Sequence, residues 1–177
     1  MKVLITGSEG FIGSHLTELL VKSGYKVTAL TLYNSFNNIG WLKSIDKKIF
    51  KKIKILSGDI RDKSLVDEIV KNKDVVINLA ALIGIPYSYK SVESYVDTNV
   101  KGTMNLLNSA KKFKVKKFIQ TSTSEVYGTA KYIPIDEKHP LSGQSPYAAS
   151  KIASDQLALS YYRSFNLPVA NFKTHLI

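Results

Sequence analysis

Hydrophobic and polar positions fall into two alternating rhythms along this chain. Short apolar, β-branched runs of strand length stand at residues 2–6, 26–32, 53–56, 75–79 and 117–121. Between them the apolar positions take a helical spacing, as at Ile12, Leu16, Leu19 and Leu20. That spacing predicts helices over residues 12–23, 63–71, around 94–112 and over 146–165, with Gly24 ending the first and an Asn-rich loop at 33–40 following the second strand. Strands alternating with helices predict an α/β fold: a doubly wound, mostly parallel sheet covered on both faces. A further strand begins near Leu167, and the sequence stops at Ile177 soon after it. The expectation is a single doubly wound domain over 1–177, truncated at its C-terminal side; a last strand at the sheet edge is the alternative.

Composition narrows the chemistry. With 44% hydrophobic and 22% charged residues, the 177-residue chain has the make-up of one folded globular domain. Cysteine is absent, which excludes disulfides, thiolate zinc sites and cysteine nucleophiles, and three scattered histidines predict no metal site. No apolar run approaches the roughly 18 residues of a membrane span. Met1 leads directly into a strand pattern rather than a signal peptide, so a cytoplasmic protein with no membrane partner is expected. The 25 basic and 14 acidic residues give a net charge of +11, which raises the question of an anionic partner. Only Arg61 and Arg163 are arginines, however, and the lysines of residues 43–54 and 111–117 alternate with apolar positions as solvated edges do. No nucleic-acid partner is expected; a phosphate-bearing nucleotide substrate draws on the same positive field.

Three motifs carry the chemistry. Gly7, Gly10 and Gly13 follow the first strand and open the first helix. In that context Gly7 permits a tight turn, Gly10 lets backbone approach a pyrophosphate, Gly13 lets helix pack on sheet, and the helix N-terminus faces the anion. The second strand ends in Thr31-Leu32-Tyr33-Asn34, with neither the acid that meets an NAD ribose nor an arginine for the NADP phosphate. NAD is the expected cofactor, with NADP not excluded by these residues. Tyr147 and Lys151 lie four apart on a helix that Ser145 caps and Pro146 starts, hence on one face. A lysine ammonium beside the phenol is expected to lower its pKa from about 10 towards the range of a general base. Alone, such a pair is an ordinary surface pair; beside a dinucleotide site it reads as catalytic. Thr121-Ser122-Thr123-Ser124-Glu125 stands at the C-terminal end of a predicted parallel strand, the edge where ligands bind in open α/β sheets, although such a cluster also serves as a simple cap or turn.

Together these residues resemble the extended short-chain dehydrogenase/reductases, and within them the nucleotide-sugar 4,6-dehydratases, over nearly the whole chain. The stretch from Thr6 to Leu16 is similar to their cofactor fingerprint, including Phe11 and Ile12, with Ser8-Glu9 where Gly-Ala is commoner. Gly58-Asp59-Ile60-Arg61-Asp62 resembles the segment in which Asp59 and Ile60 contact adenine. Leu79-Ala80-Ala81 resembles the strand end flanking the nicotinamide, and Asn99 the asparagine that steadies the site. Phrases such as Leu32-Tyr33-Asn34-Ser35-Phe36-Asn37 and Ile85-Pro86-Tyr87-Ser88-Tyr89 resemble the N-acetylglucosamine 4,6-dehydratases of legionaminic-type sugar synthesis. The resemblance implies a Rossmann-like fold, a UDP- or GDP-N-acetylglucosamine substrate and a homodimer. It implies that Tyr147 removes the C4 hydroxyl proton while hydride goes to bound nicotinamide and that Lys151 holds phenolate and ribose. It assigns Thr123 to the C4 oxygen and the C5 proton to Glu125. Where many relatives carry Thr-Asp-Glu, this chain has Thr123-Ser124-Glu125, so Glu125 serves both as base and as acid for water loss. The chain's last residues replace the family's onward substrate region, which implies weak or absent catalysis by this chain. A 4-epimerase and a non-catalytic dinucleotide binder are the alternatives.

Overall fold

Apolar runs this short are stable as strands only when both faces are covered, and the sheet meets that condition by alternation. The computed structural model describes residues 1–174; His175, Leu176 and Ile177 lie outside the described residues. β1 (Lys2–Thr6) leads through the glycine turn into α1 (Phe11–Lys22), then β2 (Lys26–Leu32). A 3-10 turn (Gly40–Ser44) and the short α2 (Lys47–Phe50) precede β3 (Lys54–Gly58), α3 (Lys63–Val70) and β4 (Val75–Asn78). The chain continues through α4 (Ile85–Ser88), α5 (Val92–Tyr95), a π-helical stretch (Val96–Gly102) and α6 (Thr103–Lys112). β5 (Lys117–Thr123), a 3-10 turn (Ser124–Tyr127), α7 (Pro146–Phe165) and β6 (Val169–Thr174) complete it.

The six strands form one parallel sheet in the order β3-β2-β1-β4-β5-β6. Leu4, Leu30, Val76 and Phe118 face one side and pack under α3, α6 and α7 through Val66, Val70, Leu106, Leu107 and Ala158. Their neighbours Val3, Ile5, Val27 and Ile77 face the other side, under Val21 and Leu20 of α1. The doubly wound α/β architecture follows, and the order reverses between β1 and β4, where crossovers leave to opposite faces and a crevice opens at the strand C-termini.

The departures from the sequence expectation have local causes. The Asn-rich loop is followed by two short helical pieces before β3, the second capped by Asp46, whose carboxylate accepts from the Lys48 and Ile49 N–H groups. The helix expected around 94–112 begins earlier and changes pitch at its centre. Tyr95, Asn99 and Thr103, spaced by four, all point inward. An α-helix would rotate such a series progressively aside, and the wider π turn keeps it in line. The last strand begins at Val169 rather than Leu167 and lies at the sheet edge.

Candidate active site

Two cavities of about 380 and 430 Å³ meet along the C-terminal ends of β1, β4 and β5, sharing Gly7, Gly10, Leu79, Ala81 and Ile83. The glycine turn forms their common floor. Gly7 adopts φ +68°, and a Cβ there would lie 2.8 Å from the Ala80 nitrogen. A Cβ on Gly13 would lie 2.2 Å from the Gly7 carbonyl oxygen, so only hydrogen at that position lets α1 start this close to the turn. Gly10 stands at the N-cap of α1 with extended backbone and no side-chain cap, and no acidic residue occupies the first turn. The helix therefore presents uncapped N–H groups beside Gly10, Phe11, Ile12 and Gly13, the geometry of an anion site. A dinucleotide pyrophosphate fits this cradle.

The opposite wall is residues 79–84, a bare segment held in place by polar ties. Asn99, 1% exposed, accepts from the Leu82 N–H at 2.8 Å through Oδ1. Its Nδ2 donates to the Leu82 carbonyl at 2.9 Å and to Ser150 Oγ on α7 at 2.9 Å. The Tyr95 hydroxyl donates to the Gly84 carbonyl at 2.5 Å. Beneath them a buried network that the sequence did not suggest joins the strand ends. Thr6 Oγ1 donates to Asn78 Oδ1 at 2.7 Å, and Asn78 Nδ2 donates to Gln120 Oε1 at 2.9 Å and Thr103 Oγ1 at 3.1 Å. The Ala80 N–H donates in turn to Thr6 Oγ1. Nothing in their local sequence links Thr6, Asn78, Thr103 and Gln120 until β1, β4, β5 and α6 are brought together.

At the far end of the first cavity, Asp59 and Ile60 line the crevice in different ways. Both Asp59 oxygens are bonded to Arg61, whose guanidinium holds that carboxyl below the usual range. The Ile60 side chain points into the core over Gly102, and its carbonyl accepts from Asn105. Only its backbone is left to meet a ligand.

The second cavity gathers Thr121, Ser122, Thr123, Ser124, Glu125, Tyr147 and Lys151 with the glycine turn. Ser145 caps α7 as read from sequence, accepting from the Ala148 N–H at 3.0 Å, and Pro146 opens the helix. The expected effect of Lys151 on Tyr147 is corrected here. The Tyr147 phenol is raised above its usual pKa, chiefly by burial; a Thr123 hydrogen bond pulls the other way, and Glu125 and Tyr95 add to the rise. The Lys151 ammonium, 6% exposed, donates to the Thr121 carbonyl at 2.6 Å. Burial lowers the lysine itself to about 8, with Asp155 opposing. The Asp155 carboxylate, which accepts a short hydrogen bond from Ser122, is a neighbour that the motif reading passed over. Its position four residues after Lys151 was the available signal.

No helix among the described residues is long and apolar enough to cross a membrane, and none of the described residues cluster as metal ligands. The family model for GDP-mannose 4,6 dehydratase matches residues 4–175. Protein CapI of Staphylococcus aureus is 37% identical, over 98% of this chain and 53% of its own length. A dTDP-D-glucose 4,6-dehydratase of Dictyostelium discoideum is 38% identical, over 95% of this chain and 42% of its own. Among solved structures, a dTDP-glucose 4,6-dehydratase double mutant from Streptomyces venezuelae with NAD bound matches with a TM-score of 0.89 at 32% identity, covering 98% of this chain and 55% of that one. A UDP-glucuronic acid 4-epimerase mutant from Bacillus cereus, also with NAD, matches at 0.88 and 31%, covering 98% and 56%. The chain spans about half the length of the relatives it matches.

Proposed function

The chain belongs to the GDP-mannose 4,6 dehydratase family of extended short-chain dehydrogenase/reductases, and from that premise we propose that it carries the cofactor-binding and proton-transferring residues of an NAD-dependent nucleotide-sugar 4,6-dehydratase. The observation that carries the reading is the meeting of Glu125, Tyr147, Lys151 and Thr123 with the glycine turn in one cavity. NAD fits because Gly7 and Gly13 leave a cradle that a Cβ would fill, and because structural relatives hold NAD. The substrate proposed is a nucleotide-activated N-acetylglucosamine, and the assembly a homodimer.

When bound, the nicotinamide supplies the hydride acceptor and donor. In this reading Tyr147 takes the proton of the sugar C4 hydroxyl, and Thr123, already hydrogen-bonded to the phenol, steadies the C4 oxygen. Lys151, fixed on the Thr121 carbonyl, lines the same cavity, and its role in this reading is to hold the cofactor ribose. The exposed Glu125 removes the proton from C5, made acidic by the neighbouring ketone, and returns it to the departing C6 hydroxyl as water leaves. A 4-epimerase shares every one of these groups except the need for Glu125, and 4-epimerases occur among the relatives. The test incubates the protein with NAD and UDP- or GDP-N-acetylglucosamine and follows the sugar by proton NMR. A 4-keto-6-deoxy product from the native chain, with Glu125→Gln retaining C4 oxidation but losing water elimination, supports dehydration. A C4 epimer from both proteins supports the epimerase, and NAD binding without either product reduces the chain to a dinucleotide binder.

A further inference from the structure

The end of β2 lacks the acidic residue that dinucleotide folds place against the adenosine ribose, yet a carboxylate stands there. Glu9, from the middle of the glycine turn, reaches across to β2, and its Oε1 accepts from the Leu32 N–H at 2.9 Å. Its backbone is clamped from the other side. The Trp41 N–H donates to the Glu9 carbonyl at 2.9 Å, and Gly40, at φ +53°, approaches so closely that a Cβ there would lie 2.4 Å from that same oxygen. The Asn-rich loop builds the clamp: Asn34 bonds the Leu32 and Asn38 carbonyls and the Asn38 N–H, and Asn38 Oδ1 accepts from the Gly40 N–H at 3.0 Å. Phe11 and Trp41 close the outer side edge to face, ring centres 5.8 Å apart. The departure of the turn from Gly-Ala to Ser8-Glu9 and the missing acid on β2 are therefore one rearrangement.

Glu9 lines the same cavity as Gly58, Asp59 and Arg61, on the adenine side of the glycine turn. Its second oxygen, Oε2, is buried with no hydrogen-bond partner within the protein. A buried carboxylate oxygen without a donor is costly, and two vicinal ribose hydroxyls are donors of matching chemistry. A phosphate on the ribose offers no proton and brings negative charge to the same place. Arg61 does not offset this, because its guanidinium is committed to both oxygens of Asp59, leaving the carboxylate of Glu9 to set the local sign.

Resting on the reading of the cleft as a dinucleotide site, we propose that Glu9 is the acceptor for the adenosine ribose hydroxyls and thereby selects NAD over NADP. The experiment is calorimetric titration of the full chain and of Glu9→Gln with NAD and with NADP, folding being checked by circular dichroism. Glutamine keeps one oxygen to accept from the Leu32 N–H and replaces the other by an NH2 donor, so that both the charge and the second acceptor are lost; Glu9→Ala serves as a second variant should the first fail to fold. The native chain is expected to favour NAD by at least about 10- to 100-fold, the range associated with hydrogen bonds to a charged acceptor, and Glu9→Gln to erase most of that ratio. A merely structural role would weaken both nucleotides alike, so the ratio is the deciding quantity. A native chain that favours NAD with an unchanged ratio in the folded variants overturns the role of Glu9 alone. A folded native chain that binds neither nucleotide overturns the dinucleotide reading and this inference with it.

Discussion

Lys151 makes the fold itself sensitive to pH in a direction opposite to that of an ordinary ion-paired lysine. In the unfolded chain its ammonium holds a proton up to about 10.5, whereas burial lowers that limit to about 8 in the folded protein. Between these values the unfolded state binds the extra proton, so stability rises with pH, by up to about 1.4 kcal/mol per pH unit and about 3 kcal/mol over the full interval. Below pH 8 both states are protonated and the cost is constant. Above about pH 10 the slope is opposed, because burial raises Tyr147 and Tyr161, which then hold protons in the folded state that the unfolded chain has lost. The clean window is therefore about pH 8 to 9.5. Lys73, lowered first by burial and then by Lys54 and Lys2, adds a background of the same sign. Urea unfolding of the native chain and of Lys151→Met across that window separates the two: the native midpoint should climb by the equivalent of about 2 kcal/mol, and the variant should keep only the shallow part due to Lys73. Identical slopes in both proteins would refute a buried, proton-losing Lys151.

Two further outcomes follow from backbone clearance and from buried polar pairing. Gly13→Ala places a methyl 2.2 Å from the Gly7 carbonyl oxygen and 2.8 Å from the Ser8 Cα, which drives turn and helix apart; NAD affinity should fall at least about 10-fold by calorimetry while the circular dichroism of the sheet persists. Asn78→Ala leaves Gln120 and Thr6 without their buried partner and should cost about 2–4 kcal/mol in urea unfolding, with Asn78→Asp no milder because it brings a charge into an interior that offers Gln120 no donor.

The elements legible in the sequence were those whose local period matches their environment. α1 announces itself by apolar spacing and a closing glycine, α7 by Ser145 and Pro146 at its start, and the central strands β1, β2 and β4 by apolar, β-branched runs buried on both faces. Tyr147, Lys151 and Glu125 were legible because their identities carry chemistry, and the structure brings them into one cavity. The sequence could not show where charges point. Four residues apart on a helix places Lys151 on the face of Tyr147, but its long side chain turns to the Thr121 carbonyl, a partner 30 residues away that no spacing reveals. Glu9 is the converse case: a residue whose place in a familiar turn looked like a tolerated variation supplies the carboxylate missing 23 residues later, at Leu32. One depends on strands laid side by side and the other on a helix laid over a strand, long-range outcomes absent from any local window.

Long-range ties also explain why Thr123, Glu125 and Tyr147 can sit on a strand end and a helix start without drifting apart. α7 is fastened to β5 at successive positions, Lys151 bonding the Thr121 carbonyl and Asp155 accepting from Ser122. Asn171 of β6 donates to the Asp155 carbonyl, and Thr174 to the Ser122 carbonyl, so the edge strand braces the same joint. One turn before it, Ser150 bonds both the Tyr147 carbonyl and Asn99, linking the phenol's own backbone to the wall formed by residues 79–84. Each tie alone is a modest hydrogen bond of about 1 kcal/mol, but they share partners, and a shift of α7 along β5 breaks several at once. The register of helix against strand thus holds Tyr147 where its phenol meets Thr123. On the proposed reading, a phenol positioned by the helix can exchange Thr123 for an arriving sugar hydroxyl, as a general base must.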